Sequence, residues 1–330
     1  MTTDGRTTLA KIATEANVAV STVSKVLNGR TDVAVVTRLR IERLLTQHGY
    51  RRTPAARGGR PRTGLIDLVI DEPDSAWGLA VLAGVTEVAE RAGLGLLVST
   101  VPAGGRLLPR GSEGAILAIS ALTAEQRHDL DRRAIPLVLV DRAGGAPPDI
   151  ASVGAADFAG GCAAAEHLMA LGHRRIGLVG GPRHIPYARA RIAGYRAALD
   201  LDPRLVHAGD PGHEGGLSAA AALLTLDDPP TAFLAADDLQ AGGVYEAVRR
   251  AGRTVPGDVS VVGFGDLPCA RWMAPPLTTV RQPLREMGLT AARALLRLVG
   301  GERLESDRVE LATGLVERGS TARRAAVPGS

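Results

Sequence analysis

Apolar residues recur at helical spacing in three short stretches of the first fifty positions. They are Leu9, Ile12, Ala13 and Ala16, then Val23, Val26 and Leu27, then Leu39, Ile41, Leu44 and Leu45. Residues three or four apart share one face of a helix, so each stretch predicts a short amphipathic helix. Between the first two stretches, Asn17 suits the left-handed conformation that ends a helix. Three short helices with a tight turn predict a helix-turn-helix bundle.

From residue 65 onward, short aliphatic runs alternate with amphipathic stretches. The runs predict strands at 65–70, 94–99, 115–119, 137–141, 176–179, 232–235 and 259–263, and the stretches predict helices at about 77–92, 123–134, 155–171, 187–200, 215–225 and 239–251. Buried strands that alternate with helices imply parallel sheets with right-handed crossovers, and there are too many strands for one compact sheet. The predicted fold is therefore α/β, with binding sites beyond the carboxyl ends of the strands.

One interval between predicted strands is too short for the usual crossover helix. Residues 100–114 include Pro102, Gly104, Gly105, Pro109 and Gly111, which together disfavour a helix. We expect a loop in its place, which leaves one face of the sheet partly uncovered.

The charge is distributed unevenly along the chain. Residues 1–63 contain 12 Lys and Arg against 4 Asp and Glu, whereas the remaining residues contain 27 against 31. A basic head on a mildly acidic body favours a polyanionic partner such as double-stranded DNA, although a merely solvated basic surface would have the same charge. The solvent face of the second predicted helix offers small polar groups that fit a major groove: Val20, Ser21, Thr22, Ser24, Lys25 and Asn28.

The head resembles the DNA-binding domain of the LacI family. The resemblance rests on TLAKIA at 8–13 and ANVAVSTVSKVLNG at 16–29. It implies that Val20, Ser21 and Lys25 read bases. It also implies phosphate contacts from four other residues: Thr8, Thr22, Ser24 and Asn28. A helical bundle with an unrelated polar surface is the alternative that this motif disfavours.

The head departs from the family pattern where its helices begin. Ala19 and Ala34 stand where the family usually has a serine that caps the second and third helices. Loss of such a cap typically costs about 0.5–2 kcal/mol. We therefore expect a loosely stable head whose third helix starts late, at Thr37.

Residues 51–63 are a basic linker with an unusual hinge. Arg51 is a predicted phosphate contact, and Ala56 and Arg57 match the family's hinge helix, with Arg57 a further predicted DNA contact. However, Gly59 replaces the leucine that wedges into the minor groove. Two interpretations stay open. Arg60, held extended by Pro61, inserts into a narrow A·T minor groove, or the segment is a flexible tether that contacts phosphates only.

The resemblance extends to the body through LGHRRI at 171–176, RIAG at 191–194, PPLTTV at 275–280 and VERGS at 316–320. It implies a periplasmic-binding-protein-like effector domain after the helix-turn-helix domain of residues 1–50. Residues 64–330 would form two interleaved subdomains, about 64–153 with 283–307 and 154–282 with 308–320, and a ligand would bind between them.

Positions carried over from the family give five predicted effector contacts, Asp71, Asp141, Arg191, Asp237 and Gln282, and Trp77 is a sixth, predicted as an aromatic side chain against a ring face. Carboxylates that accept hydroxyls, an arginine and an aromatic ring predict a sugar-like ligand. The alternative role for each carboxylate is to cap a neighbouring helix. Gly265 removes one acidic group common in the family, although Asp266 remains.

Other functional classes have little support. No phosphate loop, nucleophile elbow or H-E-x-x-H motif occurs, and the two cysteines lack metal-ligand spacing, so we predict no enzyme, no cofactor and no metal. A transport-type binding protein would share the fold, but a signal peptide and membrane span are not predicted, and the head favours DNA. The sequence thus predicts a cytoplasmic, homodimeric repressor of a carbohydrate operon, bound to operator DNA and controlled by a sugar-like effector.

Overall fold

The computed structural model describes residues 9–27, 33–48, 63–71, 73–100, 112–119, 123–133, 135–141, 149–180, 186–200, 202–208 and 210–324. The chain divides into two units, Met1–Pro61 with Leu122–Ile135, and Arg62–Ala121 with Pro136–Ser330.

The smaller unit contains the three helices predicted for the head. They are α1 Leu9–Ala16, α2 Val20–Leu27 and α3 Val35–Gln47. Their buried faces form one small core: Ile12, Ala13, Ala16, Val23, Val26, Val33 and Ile41. Asn17 has φ of 54°, which confirms the predicted left-handed turn.

Helix α3 begins earlier than predicted. The carbonyl of Ala34 accepts a hydrogen bond from the backbone N–H of Arg38 at 2.9 Å, so the helical pattern is already established there. The expected start at Thr37 is wrong, because a helix needs only its own backbone hydrogen bonds to begin and a side-chain cap merely stabilises it.

The larger unit contains two sheets. The strands are β1 Leu65–Ile70, β2 Gly95–Thr100, β3 Ala115–Ala118, β4 Leu137–Asp141, β5 Ala151–Ala155, β6 Ile176–Gly180, β7 Val206–Ala208, β8 Ala232–Ala235, β9 Ser260–Gly265, β10 Thr278–Arg281, β11 Arg308–Leu311 and β12 Gly314–Val316. The remaining helices are α4 Ala76–Arg91, α5 Ala124–Arg133, α6 Asp157–Ala170, α7 Pro186–Ala198, α8 Gly212–Leu224, α9 Asp238–Arg250, α10 Cys269–Trp272 and α11 Leu284–Val299. Of these, α5 belongs to the smaller unit.

The two sheets share one strand order. The first runs β11-β5-β4-β3-β1-β2 and the second runs β12-β10-β9-β8-β6-β7. All pairs are parallel except β10 with β12. The predicted α/β fold with more than one sheet is confirmed, and all seven predicted strands are present. Five strands were missed: β5, β7, β10, β11 and β12.

Edge strand β2 is the least covered strand of the first sheet. None of its six residues is fully buried, and Leu97 and Val98 are 41% and 42% exposed. This agrees with the uncovered face expected from the short interval that follows β2. Most of that interval, residues 101–111, lies outside the described residues.

Helices of the larger unit pack in pairs through facing glycines. A Cβ atom on Gly84 of α4 would lie 2.2 Å from the carbonyl oxygen of Arg285 in α11, and one on Gly194 of α7 would lie 2.2 Å from that of Phe158 in α6. A Cβ atom on Gly243 of α9 would lie 2.1 Å from the carbonyl oxygen of His213 in α8. Only glycine permits backbones to approach this closely, so the sequence fixes where these helices cross.

The chain crosses between the sheets three times. The crossings lie between Ala155 and Asp157, between Arg281 and Leu284, and between Leu311 and Gly314. The predicted limit at 307 is wrong, because β11 pairs with β5 and so extends the first sheet to Leu311. The other predicted domain limits stay predictions.

Hydrogen bonds join the first of these crossings to the third. The N–H of Ala156 donates to the carbonyl of Leu311 at 2.9 Å, and the hydroxyl of Thr313 donates to the carbonyl of Ala156 at 3.1 Å. The first and third crossings therefore form one hydrogen-bonded structure.

Candidate functional site

The first candidate surface is the outer face of α2. Val20, Ser21 and Lys25 are exposed, whereas Val23 and Val26 on the opposite face are buried in the core of the head. Ser21 and Lys25 are one helical turn apart and therefore share a face. The three residues that the family resemblance assigns to base reading thus lie on an accessible helix surface.

The predicted phosphate contacts are only partly described. Thr22 and Ser24 are half-buried on the flanks of α2. The other predicted DNA contacts lie outside the described residues: Thr8, Asn28, Arg51, Arg57 and Arg60. The two interpretations of the hinge at Gly59 and Arg60 therefore both stay open.

The second candidate site lies where the carboxyl edges of the two sheets meet. Helix α6 follows β5 of the first sheet yet packs on β8 and β10 of the second, and α11 follows β10 yet packs on β4 and β5. Leu267, just beyond β9, packs against the core of the first sheet. Both edges therefore face each other, which is where ligands bind in open α/β sheets.

The predicted effector contacts are divided between the two edges. Asp71 directly follows β1 and is half-buried, and Asp141 is the last residue of β4. The side chain of Asp141 lies outside the described part of the structure. Arg191, Asp237 and Gln282 belong to the second edge.

Arg191 is the centre of a buried polar cluster at the second edge. Its Nη1 donates to the carbonyl of Ala236 at 2.6 Å, and its Nε lies 3.4 Å from Oδ2 of Asp157. Its guanidinium also stacks on the ring of Phe264, 4.0 Å from the ring centre. The side-chain amide of Gln282 donates to Oδ1 of Asp157 at 2.7 Å. Asp157 therefore holds two predicted effector contacts, Arg191 and Gln282, in one place.

Asp157 was missed by the sequence analysis. The predicted helix began at about 155, so Asp157 was placed within its first turn and not recognised as the helix start two residues after a strand. Strand β5 escaped prediction because its sequence, ASVGA, consists mostly of small residues without the aliphatic run of its neighbours. An acidic residue directly after β5 would have been recognised if that strand had been.

Asp237 and Trp77 have structural roles that their predicted function did not include. Oδ1 of Asp237 accepts the N–H of Gln240 at 2.7 Å and caps α9, which was the alternative considered for this residue. Trp77 is only 7% exposed and packs in the core of the first sheet with Val81 and Val85. Its burial does not support the predicted contact with the face of a sugar ring.

Asp266 does not replace the acidic group that Gly265 lacks. Its Oδ2 accepts Nε of Arg281 at 2.6 Å, and its Oδ1 accepts Nη2 of Arg318. Burial alone would raise the pKa of Asp266, but its bonds to Arg318 and Arg281 outweigh this and lower it. Gly265 has φ of 129°, a conformation that disfavours any side chain, so the missing carboxylate has a backbone cause.

Asp238, beside this network, is fully buried between α9 and the second sheet. Its carboxylate accepts the hydroxyl of Thr279 at 2.5 Å and the N–H of Leu267 at 2.6 Å. Burial raises the pKa of Asp238 to about 6, despite the opposing effect of these two hydrogen bonds. Asp237 and Asp266 raise it further by charge repulsion.

Among the described residues, no group of three or more His, Cys, Asp or Glu side chains could hold a metal ion. None of the helices within the described ranges has the length and apolar character needed to span a membrane.

Comparison with known proteins supports both the helix-turn-helix head and the two-sheet domain. Residues 8–53 match the family described as bacterial regulatory proteins, lacI family, and residues 165–321 match the periplasmic binding protein-like domain. The HTH-type transcriptional regulator reg1 of Streptomyces lividans is 36% identical over 96% of this chain and 97% of its own length. The chain belongs to the LacI family.

Solved structures of LacI-family regulators have the same fold. A transcriptional regulator CelR–cellobiose complex matches with a TM-score of 0.73 at 30% identity, over 96% of this chain and 100% of that one. The lac repressor dimer bound to operator and the anti-inducer ONPF matches with a TM-score of 0.72 at 28% identity, over 96% and 99% of the two chains. This LacI-family chain is accordingly a transcriptional regulator with a helix-turn-helix head and a two-sheet effector domain.

Proposed function

We propose that this regulator is a homodimeric repressor that binds a pseudo-palindromic operator and responds to a carbohydrate effector held between its two sheets. The buried cluster of Asp157, Arg191 and Gln282 is the observation that carries the proposal, because it brings polar groups together at the carboxyl edge of the second sheet, where ligands bind in open α/β folds. The protein acts without catalysis, in the cytoplasm where its operator lies. The CelR relative forms a complex with cellobiose, which supports a sugar as the effector.

The exposed face of α2 supports direct base reading. Lys25→Ala should weaken operator binding by about 1–3 kcal/mol and relax sequence preference, since it removes a contact to a base edge. Arg51→Ala is the matched control, because loss of a phosphate contact should weaken all duplexes alike and lower the salt dependence by about one unit. Fluorescence anisotropy on operator and random duplexes measures both. Equal losses on the two duplexes for Lys25→Ala would overturn its assignment.

The effector assignment is tested separately from the DNA assignment. Gln282→Ala and Arg191→Ala should abolish the effect of cellobiose or maltose on operator affinity, while operator binding without sugar stays nearly intact. Thermal unfolding must show that each variant is folded. If a folded Arg191→Ala protein loses operator binding altogether, Arg191 is structural and the effector site lies elsewhere.

A dimer is expected because one short reading helix contacts too few bases for specificity in a genome. Analytical ultracentrifugation with operator DNA measures the assembly. A monomer or a stable tetramer on the operator would contradict this part of the proposal.

A further inference from the structure

The buried polar cluster needs an apolar partner surface if its ligand is a sugar ring. Sugar hydroxyls satisfy polar groups, whereas the C–H face of the ring requires a flat apolar surface such as an aromatic side chain. Trp77, predicted for this role, is covered by the core of the first sheet. A different aromatic residue could supply the surface.

Few aromatic side chains are accessible in the described part of the chain. Tyr195, Phe233 and Phe264 are buried, and Tyr245 is partly buried in the core of the second sheet. Of the aromatic side chains whose burial the structure describes, Phe158 and Trp272 are exposed. Trp272 belongs to α10, whereas Phe158 directly follows Asp157 of the polar cluster.

The course of the chain places Phe158 at the edge where the ligand would bind. Helix α7 follows β6, so it begins at the carboxyl edge of the second sheet. Helix α6 precedes β6 and ends at the opposite edge, so α6 also begins at the carboxyl edge. Phe158 is the second residue of α6, and its carbonyl oxygen lies against Gly194 of α7, the helix that carries Arg191.

The exposure of Phe158 is unusual for its position. Its side chain is 51% exposed, although α6 buries Asp157, Gly160 and Gly161 on its inner face. Half of a large apolar ring thus remains open to solvent, one residue away from a carboxylate that is 5% exposed. An open aromatic ring one residue away from a buried polar cluster combines the residue types of a small-molecule site.

We propose that Phe158 is the aromatic surface of the effector site, and that the effector has a flat apolar ring face, as a pyranose does. The inference rests on the proposed function, since it adds a ring-binding residue to the same cluster. It distinguishes ring sugars from open-chain polyols, which present similar hydroxyls without a ring face.

The test compares Phe158→Leu with Phe158→Tyr in the full-length protein by isothermal titration calorimetry. The probes are cellobiose, maltose, glucose and the open-chain polyol sorbitol. Phe158→Leu keeps an apolar side chain but removes the flat ring, so the Kd of the sugar that wild type binds should rise about fivefold or more. Phe158→Tyr keeps the ring and should stay within about twofold of wild type.

Each outcome separates this inference from the proposed function. If wild type binds a ring sugar and Phe158→Leu binds it equally well, the inference is overturned and the carbohydrate effector stands. Equal losses in the Leu and Tyr variants, or sorbitol binding as tight as that of the ring sugars, would also overturn it. If wild type binds no carbohydrate probe, the effector class and the role of Phe158 both fail. Thermal unfolding of Phe158→Leu should match wild type, because a half-exposed ring contributes little to the core.

Discussion

The first sheet, formed by β1–β5 and β11, and the second, formed by β6–β10 and β12, have the same strand order but different surroundings. In the second sheet the edge strand β7 has three residues and is followed by α8, which packs on β6 and β7. In the first sheet the edge strand β2 has six residues, and its apolar side chains Leu97 and Val98 remain exposed. The same topology therefore forms with an edge strand of three residues or of six.

The two carboxyl edges differ as well. The described acidic groups of the second edge are held in place: Asp157 bonds Gln282, Asp237 caps α9, and Asp266 bonds two arginines. At the first edge, Asp71 is only half-buried. The two edges therefore differ in how deeply one carboxylate is buried, since Asp157 is 5% exposed whereas Asp71 is half-buried.

The strongest test of this contrast removes Asp157. Asp157→Ala leaves Arg191 buried without its carboxylate, and loss of one partner of a buried ion pair costs about 3–5 kcal/mol. Asp71→Ala at the first edge should lower the free energy of unfolding by less than about 1 kcal/mol, because that residue is partly solvated. Urea unfolding of both variants measures the difference. Equal costs would show that the two edges are alike.

The next largest effect concerns the close helix pair of the second sheet. Gly194→Val forces α7 away from α6 and should destabilise the protein by about 2–3 kcal/mol through overpacking. Gly314→Ala is the control, since a Cβ atom there has open space around it, and it should change stability by less than about 0.5 kcal/mol. Thermal unfolding of the two variants checks this. A stable Gly194→Val protein would contradict the tight crossing.

Asp238 gives the second sheet its own pH dependence. Its folded pKa of about 6 lies above the unfolded value of 3.8, so its contribution to stability is fully present below about pH 4 and is lost as the pH rises through 6. The loss is on the order of 3 kcal/mol. Asp238→Asn removes the charge, while its amide oxygen can still accept the N–H of Leu267 and its amide N–H can donate to the hydroxyl of Thr279.

The difference in unfolding free energy between wild type and Asp238→Asn should therefore change between pH 4 and 7, to the disadvantage of wild type. Chemical denaturation across this range isolates the residue, because all other titrating groups are common to both proteins. A difference that is constant with pH would show that Asp238 does not titrate in this window.

The smallest effect is expected at the open edge of the first sheet. Leu97→Ser should lower the free energy of unfolding by at most about 0.5 kcal/mol, because the side chain is already in contact with solvent. Leu234→Ser in buried strand β8 should cost several times more, since it leaves a cavity and an unsatisfied hydroxyl. If both substitutions cost the same, β2 is covered in solution, and the contrast between the sheets weakens.

The parts of the fold that the sequence could predict are those with strong local patterns. Aliphatic runs such as LVLV in β4 and AFLA in β8 identify buried strands, and Asn17 identifies the turn of the head. Strands β7 and β12 have three residues each and depend on neighbours distant in sequence, so no local pattern reveals them. Helix α11 was missed although its sequence, LREMGLTAARALLRLV, is strongly amphipathic, because the preceding Thr-Thr-Val segment was not interpreted as a strand.

The site was predictable only as far as the family motif reaches. Arg191 and Gln282 were found through RIAG and PPLTTV, whereas Asp157 joins them across 125 residues of sequence through Gln282. The burial of Trp77 could not be predicted either, because an aromatic residue at a helix start fits a core and a cleft equally well. The role of Asp157 and the burial of Trp77 both depend on contacts between segments that are distant in sequence.

The three crossings have a consequence for what mutations can separate. Any rotation of one sheet relative to the other turns about residues 155–157, 281–284 and 311–314, and Asp157 and Gln282 belong to the first two of these segments. Asp157 and Gln282, two residues proposed to bind the effector, thus belong to the segments about which the two sheets would rotate. A substitution at Asp157 therefore affects both the polar cluster and the segment about which the sheets would rotate, whereas Phe158 lies one position beyond that segment.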